Sequence, residues 1–316
     1  DVLTEPNPEG VAFGINDKGQ VVGGYGDVEG IHHAFLWSDG VTTDLGTLGG
    51  ATSYAHSINN RGQVVGESET SSGDTHAFLW SDGRMIDLGT LGGANSRAVA
   101  LNESTQVIGT SQTRGGQIHS FLWQDGKMTD LGPPLMESQA MDINENGDII
   151  GNLHLSDELL DSMIVLWPAG QEHQFLGLAE QRNPEEICGG LLLASRIADN
   201  GAVIGQINGR EGFLWQAGQC TPLGLLGGEE SVPLDINGRG QVIGYARNAE
   251  GQMHAFLWQD GVMTNLGTLG GPSSTAWAIN EQGQIVGGAD NDEGRHVPFL
   301  WQDGVMTPLR LDPARP

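Results

Sequence analysis

Four histidines recur in one short context. His33, His76 and His254 each open His-Ala-Phe-Leu-Trp, and His119 opens His-Ser-Phe-Leu-Trp. Imidazole is a common ligand of transition metals, so four of them at like positions raise the question of a metal ring. That chemistry requires the histidine-bearing segments to line a shared axis. If they lie further out, the histidines are far apart and each serves a neighbouring loop. The sequence is read the second way, with no metal and no other cofactor. A second candidate is the run Asp142-Ile-Asn-Glu-Asn-Gly147, similar to the first half of an oxygen-ligand calcium loop. The later carboxylate is missing, with Ile149, Ile150 and Leu153 where it would stand, so a plain hairpin is expected. There is no Gly-x-Ser-x-Gly elbow, phosphate loop or metalloprotease helix.

The elements that carry these residues follow from an internal repeat. Aligned on Phe-Leu-Trp, the anchors are Trp37, Trp80, Trp123, Trp167, Trp215, Trp258 and Trp301, at steps of 43, 43, 44, 48, 43 and 43 residues. An aliphatic residue before a turn runs in parallel, at Ile15, Ile58, Leu101, Ile143, Ile197, Ile236 and Ile279. Each unit reads as four short strands, rich in Val, Ile, Phe and Thr and separated by Asn/Asp-Gly turns. Repeats of this length and content predict an all-β, seven-bladed β-propeller, a single domain over residues 1–316. The repeated tryptophans are expected to pack between blades. The chain starts in a first strand and ends in a fourth, so the ring should close without strand exchange, with residues 1–14 against the last blade. An irregular insertion, residues 171–193, replaces the crossing between blades 4 and 5; it reads equally as a lid or as a tolerated insertion.

Turns alternate between the two faces of an antiparallel meander. The tight Asn-Arg-Gly and Ser-Asp-Gly turns share one face, and the looser loops and the Leu-Gly-Thr-Leu-Gly-Gly crossings share the other. The small residue of the first strand (Ala12, Ala55, Ala98, Ala140, Ala194 and Ala276, with Pro233 the exception) suits a crowded axis, so this strand is placed innermost. The alternative puts His-Ala-Phe-Leu-Trp innermost. Positions alike in all units serve blade geometry; positions that differ are free for something else. Two residues before the aliphatic anchor stand Phe13, His56, Val99, Met141, Ser195, Leu234 and Trp277; four before it, Tyr54, Arg97 and Gln139 stand out. With the anchor's neighbour Arg196, these are read as the mouth of the central channel and the lining of one asymmetric pocket. Phe13, Gln139, Met141, Ser195, Arg196 and Trp277 are the candidate ligand contacts. His56 is the candidate proton carrier, and Tyr54, Arg97 or Glu230 would polarise a carbonyl or carboxylate. Arg97 is the best anion partner, since a guanidinium grips a carboxylate with two hydrogen bonds.

Charge narrows the partners. The chain carries 14 Lys and Arg against 40 Asp and Glu, a net charge of −26. That field repels phosphate backbones and anionic bilayers, so nucleic acid and membrane are not expected partners. No apolar run approaches the length of a spanning helix. A monomer is expected. There is no signal-like segment and no initiator Met, which fits a leader already removed. Cys188 and Cys220 could form one bridge or remain two thiols.

The combination His-Ala-Phe-Leu-Trp, Asp-Gly, Asp-Leu-Gly-Thr-Leu-Gly-Gly, Ser, Ala, Ile-Asn and Gly-Gln-Val-Val-Gly resembles the HAF-repeat family over essentially the whole chain. The resemblance implies repeated β units and an extracellular or periplasmic location. It carries no catalytic motif. Units 4 and 5 depart from it, with Met163-Ile164-Val165 and Glu211-Gly212-Phe213 in place of the signature, and unit 7 offsets its histidine to His296. Three functions fit: a binder of one small organic or glycan ligand at the channel mouth, a cyclase, lyase or hydrolase built on His56, or a protein-interaction scaffold.

Overall fold

Asp followed by Gly decides where each sheet folds back. Asp39, Asp82, Asp125, Asp260 and Asp303 have φ between 50 and 53°, and the glycine after each is also at positive φ. Two such residues in succession make the hairpin turn whose twist matches that of the flanking strands. In the computed structural model, which describes residues 10–26, 31–134, 136–154, 162–172, 174–177, 192–217 and 219–309, these turns join the third and fourth strands of repeated four-stranded sheets. There are seven sheets, each a simple antiparallel meander in chain order. Their strands span residues 10–44, 49–87, 92–130, 137–177, 192–222, 227–267 and 270–308, here blades 1 to 7. The described residues contain no helix. Of the segment read as an insertion, residues 173 and 178–191 lie outside the described residues.

The first strand of every blade contacts the first strands of both neighbours, all the way round. It is therefore the innermost strand, and the alternative with His-Ala-Phe-Leu-Trp at the axis is set aside. Among the described residues no strand is exchanged between the first and last blades. The first strand of blade 1 (Gly10–Ile15) packs on blade 7, and Ala12 and Ile15 share a core cluster with Ala278, Val286 and Leu309. Residues 1–9, expected to join that contact, lie outside the described residues.

The repeated tryptophans pack between blades as expected, each in or against a cluster drawn from two neighbours, but they are not the most deeply buried aromatics. Phe35, Phe78, Phe121, Phe213, Phe256 and Phe299 are the large side chains at full burial, with Val165 in blade 4. The tryptophans two residues later pack from the side; only Trp167 and Trp258 are buried, and the others are partly exposed. The reason is register. Each Phe lies opposite the glycine that ends Val-Val-Gly, as Phe78 opposite Gly66, whereas Trp80 lies opposite Val64 on one side and Met85 of the short outer strand on the other. The outer strand has four residues in most blades and cannot cover an indole completely.

That glycine also shapes the inner strand. A Cβ at Gly66 would lie 1.9 Å from the Tyr54 carbonyl oxygen, so only glycine allows the inner strand so close. Immediately beyond the contact the inner strand bulges by one residue, between Ala55 and Ser57. The same bulge occurs in all seven blades.

Candidate functional site

A bulge re-aims one side chain, and here it chooses which. The extra residues are Phe13, His56, Val99, Met141, Ser195, Leu234 and Trp277, the positions two before the anchor. The residue before each, alanine in six blades and Pro233 in blade 6, is buried, whereas the bulged residue is partly exposed on the axial strand.

From blade 7 to blade 2 these side chains form a continuous arc, which Arg97 of blade 3 extends. The Phe13 ring lies 5.9 Å from Trp277 at 69° and 5.6 Å from His56 at 54°, centroid to centroid. Arg97, from the first strand of blade 3 (Gly92–Leu101), donates its Nε–H to His56 Nε2 at 3.2 Å. Glu67, from the second strand of blade 2 (Val64–Thr70), completes the group: its carboxylate lies 3.6 Å from His56 Nε2 and 3.7 Å from Arg97 Nε. Tyr54, two residues up the strand from His56, stacks on His32 of blade 1 at 5.2 Å and 26°.

Electrostatics fix the protonation states. Burial holds His56 below its ordinary pKa; the Glu67 contact raises it, and the Arg97 charge lowers it. Burial works against the Glu67 carboxylate, but His56 and Arg97 outweigh it and hold its pKa below the ordinary value. Tyr54 is raised by burial and by the Glu67 charge, so it is a phenol. At neutral pH the group is a neutral imidazole between a guanidinium and a carboxylate. Since Arg97 donates to Nε2, the imidazole proton sits on Nδ1.

Of the four proposed acid–base and polarising residues, the structure gathers Tyr54, His56 and Arg97. Glu230 is elsewhere, in blade 6, paired with Arg247 at 3.0 Å. Phe13 and Trp277 join the arc. Met141 packs against the core cluster between blades 4 and 5, and Gln139 is exposed on the first strand of blade 4 (Glu137–Ile143). Ser195 donates its hydroxyl to the Ile204 and Pro233 carbonyls. Arg196 lies 3.7 Å from Asp235, and Asp142 and Asp235 each accept the backbone N–H of the next blade's anchor, Ile197 and Ile279. Burial pushes Asp142 up to about 7, with Arg196 pulling the other way. Asp142 is thus an inter-blade tie, and its segment is the hairpin expected rather than a calcium loop.

Sequence reading missed Glu67 and His32. Glu67 pairs directly with Tyr54, and its equivalents are Gly24, Thr110, Asn152, Gln206, Tyr245 and Gly288. This second-strand position varies as much as the first-strand ones, so the same comparison extended by one strand would have found it. His32 is visible as the extra histidine in His-His-Ala-Phe.

The signature histidines take no part. His33, His76 and His119 hold Asp44, Asp87 and Asp130 at 2.9–3.0 Å through Nδ1, and those carboxylates accept the N–H of Gly46, Gly89 and Gly132 in the crossings. His254 does the same with Asn265. Among the described residues no group of three or more His, Cys, Asp or Glu is placed to hold a metal. Two cavities lie away from the channel, one against the outer strands of blade 3 and one between blades 1 and 7. One, of about 330 Å³, is lined by Leu122, Gln124 and Lys127; the other, of about 540 Å³, by Trp37, Leu300 and Val305. Cys220 is disulfide-bonded, which removes the free-thiol alternative for that residue.

No protein-family model matches the chain, and no curated protein matches it. Solved structures do. The propeller domain of the trilobed protease from Pyrococcus furiosus, described as having an open velcro topology, is 11% identical with a TM-score of 0.62, covering 98% of this chain and 100% of that one. A puromycin hydrolase is 12% identical with a TM-score of 0.66, covering 99% of this chain and 56% of that one. A puromycin-hydrolyzing peptidase from Mycobacterium tuberculosis is 12% identical with a TM-score of 0.65, covering 95% and 52%. At these identities the likeness is one of fold, and this chain spans about half the length of the two puromycin-cleaving proteins.

Proposed function

We propose that this propeller binds one small organic or glycan ligand at the mouth of its central channel. The observation that carries the reading is the asymmetry of the bulged positions. One half of the ring places Trp277, Phe13 and His56 there in an unbroken arc, which Arg97 extends from a regular position of the next inner strand. The other half has Met141, Ser195 and Leu234 at the same positions. Blade geometry alone does not require that difference, since all seven bulges share one backbone pattern. Repeat-by-repeat binding would instead need like residues in every blade.

The test follows the indole N–H signals of the eight tryptophans during titration with a panel of neutral and charged small molecules and glycans. Trp277 is assigned through Trp277→Phe. Perturbation of Trp277 by some member of the panel, lost in His56→Ala and Arg97→Gln proteins with unchanged melting, supports the reading. Absence of any effect at Trp277 across the panel sinks it.

A second reading, an enzyme of cyclase, lyase or hydrolase type, draws on the contact of His56 with Glu67 and on the protonated Tyr54. Its hydrolase form is compatible with the peptidases among the structural neighbours. It requires turnover of a panel member that falls by roughly 10²–10⁴-fold in His56→Ala. Binding without product favours the first reading.

A further inference from the structure

We propose that the channel mouth takes a singly charged carboxylate carried on a six-membered ring with an apolar face, gripped by the open fork of Arg97. The proposal rests on the single-pocket reading above and names its ligand class.

A guanidinium has five N–H donors in a fixed plane. Arg97 uses its Nε–H on His56, and Glu67 lies 3.7 Å from that same nitrogen, beyond hydrogen-bond reach. Among the described residues neither Nη nitrogen has a hydrogen-bond partner, and the side chain is 50% exposed. What remains is the paired Nη edge, anchored from behind. That edge matches the two oxygens of a carboxylate.

The charge of the ligand follows from the count around it. Neutral His56, cationic Arg97 and anionic Glu67 sum to zero. A monoanion leaves the group at −1 in a protein already at −26; a dianion such as phosphate leaves it at −2. The other guanidinia of the inner and second strands do not help, because Arg196 is drawn to Asp235 and Arg247 is paired with Glu230.

The shape of the ligand follows from the neighbours. Trp277, Phe13 and His56 present ring edges and faces in sequence up to Arg97. Tyr54, stacked on His32, stands on the same strand toward the crossing face. Such an arc packs against an aromatic ring or the apolar face of a pyranose, with the carboxylate at one end.

Calorimetric titration with two matched pairs separates the cases: benzoate against benzyl alcohol, and glucuronate against glucose. One acid should bind about tenfold or more tightly than its neutral partner. Arg97→Gln should abolish the difference, and Arg97→Lys should restore only part of it, because an ammonium keeps the charge without the fork. A benzoate preference identifies an aromatic acid; a glucuronate preference identifies an acidic sugar. Equal binding of acid and neutral partner overturns the carboxylate proposal while leaving the pocket standing. Tighter binding of inorganic phosphate than of either acid overturns it as well. If none of these probes binds while Trp277 responds to a neutral member of the wider panel, the carboxylate proposal falls and the pocket survives.

Discussion

At the scale of single residues, His56 is the most informative group, because two neighbours pull its proton in opposite directions. Burial lowers its pKa first; Glu67 raises it and Arg97 lowers it. A proton titration of the His56 ring signal, assigned by comparison with His56→Gln, should therefore have its midpoint below about 6.5. Glu67→Gln should move the midpoint further down, and Arg97→Gln should move it up. Shifts of the opposite sign would mean that the contacts in solution are not those described. The stability consequence has a definite sign. With the folded pKa below the unfolded one, the contribution of His56 is fully present above about 6.5 and is lost as pH falls through the folded value. Glu67, also lowered, acts in the same sense over a more acidic window. Protonated His56 can no longer accept from Arg97; it becomes a donor to Glu67 and releases the guanidinium from behind.

At the scale of the strand and blade, the repeat reveals more than any one motif. Inner-strand placement was legible in the alanine before six of the seven bulges, and the asymmetric arc was legible in the variable residues on either side of it. Two things were not. The tryptophans pack between blades as expected, but the deepest position, opposite the second-strand glycine, belongs to phenylalanine. Glu67 escaped because it enters the site from the second strand, outside the first-strand positions whose variation marks the pocket. The signature residues prove to be ties. Ser53, for example, accepts from Ala34 N at 2.9 Å and donates to the Gly46 carbonyl at 2.7 Å, joining blades 1 and 2. Residues that make the sequence recognisable thus hold blades together, and the candidate chemistry lies at positions outside the signature. The packing correction is measurable. Phe78→Ala should cost about 3–5 kcal/mol as a truncation at full burial. Trp80→Ala, at a partly exposed site, should cost less. Urea midpoints in the reverse order would restore tryptophan to the centre.

At the scale of the whole ring, cohesion on the tight-turn face comes from two circuits of hydrogen bonds, and both break at one place. In the first circuit a side-chain amide reaches the next blade's backbone: Asn16 to Asn59, Asn59 to Asn102, Asn102 to Asn144, Asn144 to Ala198, Asn237 to Asn280, and Asn280 back to Asn16, at 2.9–3.5 Å. In the second, the backbone N–H one residue on donates to a side chain of the next blade, from Asp17 to Asn60 round to Glu281 and Asp17. Blade 5 has Ala198 where the amide should be, and blade 6 has Gly238 where the acceptor should be, so both circuits miss the junction between blades 5 and 6. The join between the chain's ends, blades 7 and 1, is closed in both. Near the axis the 5–6 junction is spanned by the Ser195 hydroxyl on the Pro233 carbonyl at 3.1 Å and by the Arg196–Asp235 contact at 3.7 Å, the latter partly exposed and so worth little in water. Equivalent positions should then respond with opposite signs. Asn59→Ala removes a buried amide that bonds both its own turn and the next blade, and should destabilise by about 1–3 kcal/mol. Ala198→Asn supplies the missing link to the Asn237 carbonyl and should stabilise by about 0.5–1.5 kcal/mol. It should also slow amide exchange at Gly212, whose N–H crosses the same junction to Ser231. Ala198 is itself buried in the core cluster that joins these two blades. A destabilised Ala198→Asn protein would therefore show that the junction has closed around the alanine, with apolar packing in place of the absent amide.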